Sequence, residues 1–112
     1  MLKKQYRLKK RKTFNYIHRN GRHVGCEVFA LVFVYARMKD IKAGFSVSKK
    51  IGNSVVRHRA TRVMREAFKP LIPNIKPNHS LVFVAKPGIE KLKPAEITVF
   101  MERVLQKAGL LL

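Results

Sequence analysis

The chain is poor in acid. Six Asp and Glu stand against 25 Lys and Arg in 112 residues, for a net charge of +19. The six are spread along the whole chain, with no close carboxylate pair to suggest acid–base catalysis. Cysteine is almost absent. Cys26 is the only one, so an internal disulfide is impossible and multi-cysteine metal sites are excluded. One thiol suits a reducing compartment, and the cytoplasm is the expected location. The four histidines (His18, His23, His58, His79) show no HExxH-type spacing. No glycine-rich phosphate loop follows a strand, and Gly52-Asn53 is too short to be one. No apolar run approaches the ~20 residues of a membrane span. No apolar h-region follows the charged N-terminus, so a secretory signal is not expected, and the segment reads better as part of the fold than as a transit peptide. Repeats and low-complexity tracts are missing too. These absences describe a binder with no catalytic set of its own.

What is present is a hydrophobic fraction of 46%, enough to exclude a disordered basic tail and to supply one modest core. A single domain over 1–112 is expected. So high a positive charge opposes compactness unless a polyanion neutralises it. Nucleic acid is the leading partner and an anionic membrane surface the second. No protein partner is indicated.

The first twelve residues carry Lys3, Lys4, Arg7, Lys9, Lys10, Arg11 and Lys12. They read as a mobile basic arm that orders on a polyanion. Thr13 is expected to cap a helix from Phe14 to Asn20, with Gly21 at C′. The run from Cys26 to Ala36 reads as a buried strand, Cys26 acting in it as a small hydrophobe. A turn is expected over 37–40. Ile41 to Ser48 is then a second strand, expected to pair with the first as a hairpin. Along it Phe45 and Val47 share one face, and Gly44, Ser46 and Ser48 the other, small and polar face. A third strand spans Ser80 to Ala85. The helical crossover before it leaves a parallel pairing with the second strand open. Pro94 opens a last helix whose apolar stripe, Ile97 to Ala108, is core, and Gly109 stops it. The order helix-strand-strand-helix-strand-helix predicts an α+β fold, a small two-layer sandwich with helices on one face of a sheet.

The stretch from Gly44 to Phe68 is the most informative. Asn53 is an N-cap candidate for the helix that follows. At about 100° per residue, Val56, Ala60, Val63, Met64, Ala67 and Phe68 share one arc. His58, Arg62, Arg65 and Lys69 share the opposite arc, with Arg57 and Arg59 on the borders. A solvated helix normally mixes charge signs, whereas this face carries Glu66 alone against its cations. A plain solvated surface is the bland alternative, and the whole-chain charge weighs against it. Lys49 and Lys50 precede the helix. Cations near Phe14 and the face of Ser46 and Ser48 suit single-stranded nucleic acid, where phosphates pair and bases stack. Three other readings stay open. A structural RNA-binding protein of the ribosomal kind would share this composition. A membrane-surface binder would need a large exposed apolar face. A duplex-DNA reader would want Asn or Gln beside its arginines.

The segment Ser46-Val47-Ser48-Lys49-Lys50-Ile51-Gly52-Asn53-Ser54-Val55 resembles the signature of the bacterial ribonuclease P protein subunit. Arg57, Arg59, Arg62 and Arg65 match that family's basic helix, and Arg7-Leu8-Lys9-Lys10, Phe14 and Gly21 resemble its first helix. His58 stands where the motif has Asn, and Thr61 where a basic residue is usual. His18 and Val32 stand where aromatics are common, with Phe33 and Tyr35 as candidate substitutes. The resemblance implies a left-handed strand-helix-strand crossover. It also implies partnership with a large catalytic RNA that removes the 5′ leader of precursor tRNA. Lys49, Lys50, Asn53, Arg57, His58, Arg59, Arg62, Arg65 and the arm would bind the catalytic RNA. Phe14, His18, Val32, Ser46 and Ser48 would line the leader cleft. Magnesium or another divalent metal would be held mainly by RNA, with none bound by the protein alone.

Overall fold

The computed structural model describes residues 2–36 and 40–112. Residues 37–39 of the expected turn lie outside the described residues. Among the described residues, three α-helices and four strands follow in the order α1 (Arg11–Asn20), β1 (Arg22–Gly25), β2 (Phe29–Tyr35), β3 (Lys42–Ser46), α2 (Ser54–Phe68), β4 (His79–Ala85) and α3 (Pro94–Lys107). The α+β sandwich is as expected, and the sheet order is β1-β2-β4-β3. β2 and β4 are central because both are apolar on both faces, and a strand of that kind is stable only when covered twice.

The expected hairpin does not form. β3 pairs with β4, parallel, and β2 pairs with β4, antiparallel. Chain proximity favoured β2–β3, but the long apolar runs Phe29–Tyr35 and His79–Ala85 gain most by pairing with each other. The weaker β3, with its small polar face, is left outside. The strand expected from Cys26 begins instead at Phe29. Cys26 is half-buried in the connection after β1, its carbonyl oxygen accepting from Lys86 Nζ at 2.8 Å. β1 itself, Arg-His-Val-Gly, shows no apolar alternation that would announce it. It is a short, charged edge strand of the kind that resists further pairing.

Leu31, Phe33, Leu81 and Phe83 face α2 and α3 and form the main core. Phe83 lies at its centre, 5.3 Å from Phe29, 5.6 Å from Phe45 and 5.5 Å from Phe68 between ring centroids. Val32 and Val82 alternate to the other face, where Ile17 of α1 seals them. Helices α2 and α3 thus share one face as expected, whereas α1 takes the other.

α1 starts earlier than expected. Lys10, not Thr13, is its N-cap, and Thr13 lies inside, its N–H bonded to the Lys10 carbonyl at 3.1 Å. Gly21 is extended (φ −82°) and is not a left-handed C′ residue. Its lack of a side chain matters for space, since a Cβ there would stand 2.7 Å from Val32 Cγ1. The expected helix stop at Gly109 is present, with φ at 74°. The segment expected as a mobile arm is packed. Leu2 is buried, a 3-10 turn spans Lys4–Tyr6, and Leu8 N–H bonds the Ala43 carbonyl at 3.0 Å along the free edge of β3.

Truncating Phe83 removes the ring on which three others close. Phe83→Ala should lower stability by about 3–5 kcal/mol in urea unfolding. A loss below about 1 kcal/mol would show that the aromatic cluster is not the core's centre.

Candidate nucleic-acid interface

The turn before α2 is anchored by apolar burial. Ile51 is buried while Ser48, Lys49 and Lys50 around it are exposed. Ile51 and Gly52 N–H groups bond the Ser48 and Lys49 carbonyls at 3.1 and 3.2 Å. Gly52 has φ at 156°, and a Cβ there would stand 2.9 Å from Val56. Asn53 then caps α2 as expected, its Oδ1 accepting from Val56 N–H at 3.0 Å. With the helix start fixed, the cations on it are fixed in angle.

Ala60, Met64, Ala67 and Phe68 bury the inner arc of α2. His58, Arg59 and Arg62 are exposed. Arg57, Thr61 and Arg65, four residues apart, form a half-buried row on the flank toward β3. Arg57, His58, Ser54 and Thr61 line a groove of about 240 Å³ floored by Phe45 and Val47. Thr61, which the family pattern would make basic, donates its hydroxyl to the Arg57 carbonyl at 3.0 Å. Lys69 reaches Glu66 at 4.0 Å. Among the described residues, no carboxylate pairs with Arg57, Arg59, Arg62 or Arg65.

Arg65, expected on the outer arc, is partly covered. Its Nε and that of Arg57 are shielded from solvent and have no hydrogen-bond partner. Burial pushes the Arg65 guanidinium below its ordinary pKa, and the charge of Arg7 adds to the shift. Arg7 comes close because it bridges Ala43 on the edge of β3, and its Nε donates to the Leu2 carbonyl at 2.7 Å. Composition and wheel did not place Arg7 beside Arg65. No local pattern pointed to it, since Tyr6 ends a 3-10 turn and Leu8, two residues on, packs toward the other core. A base whose pKa falls on folding is less comfortable charged in the fold than in the open chain. Two guanidinium groups without carboxylates therefore form a place for an anion.

The second surface lies on the α1 side of the sheet. The half-buried Phe14 ring sits directly on Gly44, so closely that a Cβ on Gly44 would overlap its Cζ. Ser46 follows Gly44 on the same face, half-buried, and Ser48 lies just beyond the strand, exposed. His18, one turn after Phe14, is exposed on the same flank of α1. Val32 does not join them. It is 1% exposed under Ile17, and is core. The candidate substitutes also lie elsewhere. Phe33 and Tyr35 belong to the face of β2 opposite Val32. The remaining cations of the N-terminal segment, Lys3, Lys4, Lys9, Lys10, Arg11 and Lys12, are exposed. Among the described residues, no three His, Cys, Asp or Glu side chains stand close enough to share a metal ion. No helix there is long and apolar enough to cross a membrane.

The family model described as Ribonuclease P matches residues 2–109. The ribonuclease P protein component of an Exiguobacterium species is 37% identical over 107 residues, covering 96% of this chain and 93% of that protein. The corresponding protein of Oceanobacillus iheyensis is 36% identical, covering 98% and 92%. The solved structure of the Staphylococcus aureus RNase P protein matches with a TM-score of 0.83 at 29% identity, covering 94% of this chain and 96% of that one. The RNase P protein from Thermotoga maritima matches with a TM-score of 0.81 at 21% identity, covering 90% and 96%, a likeness of fold.

Arg65 tests whether the cations serve the fold. Arg65→Met keeps the buried stem and removes the crowded charge. Its stability in urea should equal or exceed that of the parent chain. A loss above about 1 kcal/mol would make the guanidinium a structural prop.

Proposed function

The chain belongs to the ribonuclease P protein family, and on that premise we propose that it assists removal of the 5′ leader from precursor tRNA as the protein subunit of a ribonucleoprotein. What carries this reading is the pairing of two surfaces: a helix whose arginines lack carboxylates, and, on the opposite face of β3, a groove in which Phe14 rests on Gly44.

In this reading α2 meets the catalytic RNA. Arg57, Arg59, Arg62 and Arg65 engage phosphate oxygens, and the fork of a guanidinium suits that contact better than an ammonium. Lys49 and Lys50 extend the contact from the preceding turn. Asn53 acts by fixing the helix start, and His58 adds a ring nitrogen between arginines. The packed N-terminal segment contributes Arg7 next to Arg65.

The leader takes the other surface as a single strand. Phe14 offers part of a ring face to a base, and Ser46 and Ser48 offer hydroxyls to the backbone. Small residues on β3 allow a nucleic-acid backbone to come near. His18 stands beside Phe14 as a second, weaker platform, and Val32 only supports the floor from beneath. The chemistry of phosphodiester hydrolysis belongs to the RNA with its divalent metal. The protein's share is to hold substrate and catalyst together, in the cytoplasm.

Cleavage of a 5′-extended precursor tRNA by a bacterial ribonuclease P RNA at low magnesium tests the proposal. Adding the protein should restore multiple turnover at the mature 5′ end. The Arg57→Ala/Arg59→Ala/Arg62→Ala chain should fail to do so, its RNA-binding salt slope reduced by about 0.7–0.9 for each phosphate no longer neutralised. Binding without any gain in cleavage would move the structural RNA-binding reading ahead. Phe14→Ala isolates the leader. It should weaken binding of precursor tRNA more than of mature tRNA, and equal losses on both would remove Phe14 from the leader path.

A further inference from the structure

Assigning the cleft uses only one flank of α1. Residues three and four apart on a helix share a flank, so His18 lies on the same flank as Phe14, which rests on Gly44. Thr13, Tyr16 and Asn20 lie together on the other flank, and two hollows adjoin there. One, of about 440 Å³, is lined by Lys4, Arg7, Lys9, Lys10 and Lys42, with no carboxylate. The next, of about 490 Å³, is lined by Tyr16, Arg22, Tyr35 and His79.

The two hollows meet along β4. Ser80 borders the first and its neighbour His79 the second. Lys42 stands opposite Ser80, and Tyr35 opposite His79. Side chains alternate along a strand, so Lys42 and Ser80 lie on the α1 face and Tyr35 and His79 on the other, and the two hollows come together only round the sheet end where β3 and β4 begin and β2 finishes. Ser46 and Ser48 lie at the opposite end of β3.

The second hollow has the makings of a site for a flat ligand. Tyr35 is 70% exposed and Tyr16 60%, among the largest apolar exposures in the chain. His79 stands edge-on to Tyr35 with centroids 5.8 Å apart. Its Nδ1 donates to the Pro77 carbonyl at 2.9 Å, which orients the ring. The β1 ladder ends at Arg22 opposite Phe33. Among the described residues, Val34 and Tyr35 therefore have no strand beside them on that side, and the hollow opens there. An isolated phosphate would satisfy the cations but leave the rings in water. An apolar ligand would do the reverse. A single-stranded nucleotide chain supplies a flat base and an adjacent phosphate together.

We infer that this end of the sheet is a second single-stranded RNA track that passes round it, with phosphates beside Lys42 and Lys10 on the α1 face and a base stacked against Tyr35 and Tyr16 at the edge of β2. It rests on the RNA-binding reading of the chain but not on Phe14 being the leader site.

The test is fluorescence anisotropy of a labelled single-stranded RNA of about eight nucleotides, the scale of a short single-strand site, titrated with the full chain across a salt series. Tyr35→Ala should weaken binding roughly fivefold or more, with the salt slope unchanged, because stacking releases no counterions. Lys42→Gln should lower the slope by about 0.7. Both side chains are exposed, so neither change threatens the core. If Tyr35→Ala and Lys42→Gln leave affinity and slope unchanged while Phe14→Ala weakens binding, the second track is overturned and the leader cleft stands. If none of the three changes matters, both single-strand assignments fall.

Discussion

The pairing of β2 with β4 is the constraint from which the rest follows. Leu31 stands opposite Phe83 and Phe33 opposite Leu81, while Val32 and Val82 meet on the reverse side. Two strands that are apolar on both faces need cover on both. On one face α2 and α3 supply it, and four phenylalanines close over the centre. On the other only α1, ten residues long, is available. Four strands spaced about 4.8 Å apart span roughly 14 Å. A helix is about 10 Å across. One helix seals the middle, through Ile17 on Val32 and Val82, and leaves a groove on each flank. The binding surfaces on this face arise from a shortage of cover.

Charge is tolerated because that core is uncompromised. Ser80 is the one polar residue among the fully buried ones described, so the cations are confined to the rim, where water and salt screen them within about 8 Å. The exception is the Arg7–Arg65 approach, where burial defeats screening. Both α1 and α2 lack acids in the first turn and carry cations there instead, Arg11 and Lys12 in one, Arg57 close behind the start of the other. A helix N-terminus already bears partial positive charge. Cations placed against that gradient oppose folding, and an arriving phosphate reverses the sign of each of these interactions at once.

How legible this was depended on how local each signal is. The cap of Asn53 on Val56 was readable because cap chemistry acts within four residues. The apolar arc of α2 and the stripe of α3 were readable because their period is fixed by the helix. Strand pairing was legible only in part: the parallel β3–β4 pair left open by the helical crossover forms, but the rest is decided by competition among all strands at once. Sequence neighbours lost to β2–β4, whose partners are nearly fifty residues apart. β1 escaped notice because an edge strand of Arg, His, Val and Gly carries no core pattern. The N-terminal segment was misread because its cations outnumber its apolar residues, although Leu2, Tyr6 and Leu8 are the ones that dock it. In the site, angles on α2 were legible except at Arg65, expected outward and found half-buried. Val32 was misplaced because whether Ile17 covers it depends on where α1 lies across the sheet.

The same geometry explains where this chain keeps its aromatics. The family pattern would put rings at positions 18 and 32, and this chain has His18 and Val32. A ring at 32 in this fold would have to displace Ile17, since Val32 is sealed beneath it. The exposed rings occur instead at Tyr16 and Tyr35. Two residues back along a helix turns a side chain by about 200°, to the opposite flank of α1. Three residues along a strand changes its face, because side chains alternate. Both shifts carry aromatic surface away from the Phe14 groove, and they converge at the same end of the sheet, where His79 and a row of cations already stand. Two exposed rings, one carried by a helix and one by a strand, that line the same hollow are an arrangement on which a flat ligand stacks.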